Sequence, residues 1–242
     1  MISERELERR LELARQNREL EPAFFRCLLD AVVYAHAPLS DDHPQLRLIQ
    51  FKHPDGFYAL PFFTSRAKAL AVAGSTARLV ELTGRALFEG TPGATFMLNP
   101  NDGGCVLYPE EIAALLDSGT VARVEKFDLE ADTPFLVMEE VNPPAWLLPM
   151  LMTLYEGLAF VEAAYLLEVA PPEHPAQHTF LIAIGVAPEH AERAARATII
   201  ALQSAATDAD IPIDLTSFDP TQGLPGYLRH PGVERLFGPR LS

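Results

Sequence analysis

Thr95-Phe96-Met97-Leu98-Asn99-Pro100-Asn101-Asp102-Gly103-Gly104-Cys105-Val106-Leu107-Tyr108-Pro109-Glu110-Glu111-Ile112 holds two apolar runs, a turn and a helix start within eighteen residues. Thr95–Leu98 and Cys105–Tyr108 read as strands. Between them, Pro100 fixes one φ angle, Asn and Asp side chains can bond their own backbone, and two glycines are free to adopt positive φ. Pro109 then occupies the first helical position, where its missing N–H costs nothing, and Glu110 and Glu111 face the positive end of the helix dipole. The stretch predicts a hairpin running into a helix, and strands interrupted by short helices across the first half indicate an α+β fold.

Working outward on the N-terminal side, Ser3-Glu4-Arg5-Glu6 has capping-box spacing and opens a Glu/Arg-rich helix to about Leu20 with a thin apolar stripe of Leu7, Leu11 and Ala14. Such a helix buries little alone and is expected to lie on its domain or on a second chain. Pro22 restarts the helix, and Phe25, Leu28, Leu29, Val32 and Val33 give it a stronger core face. His36 to Pro44 reads as a polar loop. Leu46–Phe51 and Phe57–Phe63 read as a hairpin closed by His53-Pro54-Asp55-Gly56. Thr64-Ser65 supplies a hydroxyl cap for a short helix whose exposed start, beside Arg66, is a candidate anion site. Leu79–Leu82 is a strand and Gly84–Glu89 a short helix.

On the C-terminal side, apolar periodicity weakens and acids accumulate between Ser118 and Thr133, so the domains are expected at 1–127 and 128–242. Beyond that boundary the predicted order is Phe135–Val141 strand, Pro144–Leu158 helix, Phe160–Val169 and Thr179–Val186 strands, Pro188–Ala206 helix and Ile211–Leu215 strand. This βαββαβ order fits a ferredoxin-like arrangement, although order alone leaves the pairing open. The tail from Thr216 reads as a long loop with one short helix near Gly232–Leu236.

Composition narrows the function classes. The chain has 242 residues, 48% of them hydrophobic, and no apolar run approaching the ~20 residues needed to cross a bilayer. Its charged N-terminus lacks a signal-peptide pattern, so a cytoplasmic location is the expectation. The net charge of −14 opposes binding to nucleic acid or an anionic membrane, both of which require clustered cations. The charge is uneven: Glu110 to Ala145 holds nine acids against Arg123 and Lys126.

Several segments resemble a known family. Leu60-Pro61-Phe62-Phe63-Thr64-Ser65, Phe96-Met97-Leu98-Asn99-Pro100 and Tyr108-Pro109-Glu110-Glu111-Ile112 are similar to the N-terminal domain of the bacterial SseB family, named for enhanced serine sensitivity. Pro143-Pro144-Ala145-Trp146-Leu147 and Ala164-Tyr165-Leu166 resemble its C-terminal domain. An unrelated secretion-system translocator shares the name, and its helical membrane-inserting segments have no counterpart here. The resemblance implies a two-domain α+β fold and brings no catalytic residues.

Chemistry must therefore be sought in the residues themselves. Cys27 and Cys105 form no C-x-x-C pair; Cys105, after two glycines, is a position for an exposed nucleophile, but core packing is the favoured reading. His174 and His178 have helical metal spacing that Pro175 opposes. Asp208, Asp210 and Asp214 lack the glycine and distal Glu of a calcium loop. Glu139 and Glu140 end a strand, where neighbouring side chains point to opposite faces. Arg66, the turn residues Asn99, Asn101 and Asp102, and the acidic Glu139 and Glu140 are the candidate binding residues. No catalytic residue, metal or cofactor is expected. The leading expectation is a non-catalytic protein that regulates or neutralises another protein, one with a basic surface, with a homodimer as a further option. A sensor binding an amino acid at a domain or dimer interface is the alternative, and a cysteine-dependent enzyme the third.

Overall fold

The computed structural model describes residues 2–40, 43, 46–74, 76–119, 121–122, 135–205, 212–231 and 233–239. In chain order the elements are α1 Glu4–Gln16, α2 Glu21–Asp30, β1 Val32–Ala37, β2 Phe51–Lys52, β3 Tyr58–Phe63, α3 Arg66–Ala73, β4 Arg78–Thr83, α4 Gly84–Glu89, β5 Phe96–Leu98, β6 Cys105–Leu107 and α5 Pro109–Ser118. There follow β7 Leu136–Val137, α6 Leu147–Glu156, β8 Val161–Ala170, β9 Thr179–Val186, α7 Ala191–Ala205, β10 Ile213–Phe218 and β11 Glu234–Phe237. The chain divides into two compact units, Met1–Val121 and Ala122–Ser242, each with its own sheet, so the architecture is α+β with two sheet-bearing bodies.

In the first unit the strand order is β4-β1-β3-β5-β6, with β2 on β3. The hairpin that opened the sequence reading is present: Phe96 faces Leu107, Met97 faces Val106 and Leu98 faces Cys105. Asn99 takes a left-handed φ of 44° at its turn, and a Cβ on Gly104 would stand 2.3 Å from the Leu98 carbonyl oxygen, so only glycine fits there. Glu111 reaches back to the Tyr108 N–H at 3.1 Å and closes the start of α5. One sheet face, through Val33, Ala35, Leu60, Phe62, Phe96 and Leu98, packs on α1, α2, α4 and α5. The opposite face carries Tyr34 and Phe63 against Ala69 of α3.

Two expectations in this unit change. The apolar spacing that ran through Val33 does not stay helical: α2 stops at Asp30, Ala31 is extended, and Val32 and Val33 begin β1. The β-branched pair finds its packing on the sheet, where a stiff χ1 is an advantage. His36 lies in β1 rather than a loop and is 5% exposed. Its Nε2 stands 2.9 Å from the Ala69 carbonyl oxygen, which can only accept, so Nε2 carries the proton.

In the second unit the order β7-α6-β8-β9-α7-β10 matches the βαββαβ expectation, and β11 is added from the tail. The pairing is not ferredoxin-like. β10 lies parallel beside β9, so α7 crosses over to the adjacent strand, and the sheet runs β10-β9-β8-β11. β7 has only two residues and pairs with Val169 and Ala170, at the end of the same β8 edge that β11 occupies through Ala164, Tyr165 and Leu166. So short a first strand cannot take the central place that the ferredoxin order requires, and the tail, read as a helix near Leu236, supplies the edge strand instead. Gly238 makes that approach possible: a Cβ there would lie 2.0 Å from the Glu162 carbonyl oxygen.

Both faces of this sheet are covered. Ala164, Leu166, Ile182 and Ile184 face α6 and α7, while Ala163, Tyr165, Leu167 and Ala183 face Leu224, Tyr227 and Leu228 of the tail. This explains why β8 and β9 read as nearly continuous apolar runs. The Tyr155 hydroxyl of α6 meets Thr198 Oγ1 of α7 at 3.2 Å; burial drives its pKa up, against the effect of that hydrogen bond. The acidic segment expected at the boundary, and Asp208 and Asp210, lie outside the described residues.

Candidate functional site

The densest polar cluster of the first unit lies where β3 ends and α3 begins. Ser65 is the N-cap of α3, its Oγ accepting from the Lys68 N–H at 3.3 Å, as a hydroxyl cap should. The next free N–H, that of Arg66, donates to Glu4 Oε2 at 3.2 Å. The anion expected at this helix start is thus a carboxylate of α1. Glu4 Oε2 also accepts from the Tyr34 hydroxyl at 3.0 Å, and burial, then that hydrogen bond, raise the tyrosine pKa.

One turn along α1, Glu8 repeats the contact. Its Oε2 receives Lys68 Nζ at 2.6 Å, and its Oε1 accepts from the Thr64 hydroxyl. Lys68 Nζ also reaches Asp102 Oδ2 at 2.8 Å. Burial pulls the lysine pKa down, but the hydrogen bonds to Asp102 and Glu8 outweigh it, and the pKa lies above the ordinary value. The Lys68 hydrogen bond in turn holds the Asp102 carboxyl below its usual range, with Arg15 adding to the effect. Arg15 donates to the Asp102 carbonyl and stands 3.5 Å from its carboxylate.

Asn99 fixes the floor of the cluster. It is 1% exposed; its Oδ1 accepts the Thr64 N–H at 3.1 Å and its Nδ2 donates to Thr64 Oγ1 at 2.8 Å. The backbone is held too, Asn99 N–H on the Phe62 carbonyl at 2.8 Å and Asp102 N–H on the Asn99 carbonyl at 2.9 Å. The left-handed φ that the turn needs and the two-ended amide that Thr64 needs are both properties of asparagine.

Of the candidate residues, Arg66, Asn99 and Asp102 therefore belong to one network. Arg66 itself is exposed, its Nε 3.6 Å from Glu81 Oε1 on β4. Asn101 is exposed in the same turn. Glu139 and Glu140 belong to the second unit, are exposed, and follow β7 rather than ending it. The reading of residues one by one missed Glu4, Glu8, Thr64 and Lys68 as partners. Glu4 and Glu8, four apart on one helix face, were the available signal.

The other candidates are distributed by packing. Cys27 is buried in the first core, which raises its pKa. Cys105 is half-buried in β6 against the same core. His178 Nδ1 lies 3.0 Å from Glu168 Oε1, whereas His174 sits in a turn closed by Gln177 N–H on its carbonyl. Among the described residues no three His, Cys, Asp or Glu side chains gather as a metal set. A cleft of about 290 Å³ opens between Leu48, Gln50, Leu60 and the Thr91–Ala94 turn; Gln50 and Thr91 are its polar side chains.

A different feature marks the outer side of α3. Its residues are almost all apolar, yet only Ala69 and Ala73 are buried; Ala67, Leu70, Ala71 and Val72 face outward, Leu70 and Val72 being 43% and 42% exposed. Helices apolar on every side are ordinarily covered on every side.

Among known proteins, residues 7–114 match the SseB protein N-terminal domain. The chain is 30% identical over 219 residues to Protein SseB of Escherichia coli (strain K12) and, to the same extent, to Protein SseB of Shigella flexneri. Each alignment takes in 87% of this chain and 83% of the relative. No solved structure matches. An alignment of that length extends past the matched domain into the second unit, and the chain belongs to the SseB family.

Proposed function

We propose that this SseB-family protein is a non-catalytic binding component that regulates or neutralises another protein, and that the outer face of α3 is where the partner sits. The observation that carries the reading is the apolar, outward-facing side of α3, with Ala67, Leu70, Ala71 and Val72 open beside Arg66 and Glu81. An exposed apolar patch rimmed by charge is the usual form of a protein contact. The net charge of −14 favours a partner with a basic surface and works against a second copy of the same chain. The polar cluster next to it supports the same view, since its cations and hydroxyls are engaged by the carboxylates of Glu4, Glu8 and Asp102 in holding α1.

Affinity purification from the native host tests this. The intact protein should retain one stoichiometric partner at low salt and lose it as salt rises, and Leu70→Glu should abolish retention without lowering the melting temperature. If no such partner is recovered, the proposal fails. A thermal shift with free serine should be flat, because the cleft described above presents an amide and a hydroxyl to a ligand bearing two charges. A clear rise would favour an amino-acid sensor instead.

A further inference from the structure

Eight of the thirteen residues of α1 are charged, and its hold on the first unit has two unlike parts. The apolar part is Leu7, Leu11 and Ala14. The polar part is a row of contacts along one side: Glu4 to Tyr34 and Arg66, Glu8 to Thr64 and Lys68, Arg15 to Asp102. All of these partners lie outside α2, on β1, at the start of α3 and in the turn after β5.

Underneath lies Cys27 of α2, 6% exposed and in the same apolar cluster as Leu7 and Leu11. Cys27 belongs to the core cluster that Leu7 and Leu11 of α1 help to close, and Arg10 and Glu6 of α1, with Asp30 of α2, lie near enough to act electrostatically on its thiol. The joint between the helices is Asn17, in an extended conformation, and one 3-10 turn, Arg18–Leu20, that buries no residue. On its other side α1 is preceded by the bridge from Ile2 to Ala31, with Ile2 packed against the same core.

We propose that α1 is an ionically latched strap: it leaves the first unit as a body while the sheet beneath stays folded, and its departure uncovers the Cys27 thiol. A short apolar stripe and anchors concentrated in ion pairs and charged hydrogen bonds are what separates a locally opening segment from one that opens only with the whole domain. Partly buried ion pairs serve as a latch because they require two matched partners, and a change in either one releases both.

The test uses the full chain with Cys105→Ser, leaving one thiol, and follows its labelling by a maleimide at rising denaturant. Local release predicts labelling much faster than global unfolding allows and almost independent of denaturant at low concentration. Glu8→Gln and Lys68→Gln should each speed it by about tenfold, the response to roughly 1.4 kcal/mol, with 1 M salt acting in the same direction on the unsubstituted latch. Hydrogen exchange of the wild-type chain gives a second reading that needs no variant: amides of 4–16 should exchange ahead of those in α2 and β1. If labelling tracks global unfolding with its full denaturant slope, or if 4–16 and 21–30 exchange in one step, the strap does not exist. These outcomes are independent of whether the α3 face binds a partner.

Discussion

Replacing Asn99 by alanine removes two hydrogen bonds and a conformational preference at once, and the magnitudes follow from the geometry. Thr64 is fully buried, so losing the 3.1 Å bond to Oδ1 strands its N–H away from water, at a cost of about 1–3 kcal/mol. Alanine at φ 44° carries a further penalty of about 1 kcal/mol that asparagine largely escapes. Asn99→Ala should therefore lose about 2–4 kcal/mol. Asn99→Gly separates the contributions: the backbone is relaxed while the bonds stay lost, and once glycine's larger unfolded-state entropy is set against this, the variant should recover about 0.5–1 kcal/mol. Urea unfolding followed by circular dichroism supplies both differences, provided the slope with denaturant is unchanged. An alanine variant within about 0.5 kcal/mol of wild type, or a glycine variant less stable than it, would refute the account of this turn.

Two further outcomes concern the same hairpin and cluster. Gly104→Ala pushes a Cβ to 2.3 Å from a backbone oxygen of the facing strand, so the hairpin must open or shift and thermal unfolding should show a loss above about 2 kcal/mol. The Asp102 pKa lies below its ordinary 3.8, so its contribution is intact above that pH and disappears as pH falls through the folded-state value. Because the carboxylate is about half exposed, the contribution is small, about 0.5 kcal/mol, and is read as the difference in acid unfolding between wild type and Asp102→Asn. Acid curves that superimpose would mean that the Lys68 contact adds nothing to stability.

The local sequence determined a good deal of this protein. Pro109 with its two glutamates, the glycines after Asp102, the Ser65 cap before Arg66 and the near-continuous apolar runs of β8 and β9 each specify an element through neighbours a few positions away, and those elements stand where the spacing put them. The pattern also continued where the chain did not: Val32 and Val33 keep helical spacing with Phe25 and Leu29, and only their place on the sheet ends the helix at Asp30. Strand neighbours, the tail strand on β8 and the carboxylates seated on α3 were decided by tertiary structure alone. Glu4 meets the Arg66 N–H across 62 positions and Glu8 meets Lys68 across 60, and nothing in either segment names the other. Caps, turns and periodicity act within one or two turns of backbone, whereas pairing and charge contacts depend on which surfaces the collapsed chain brings face to face.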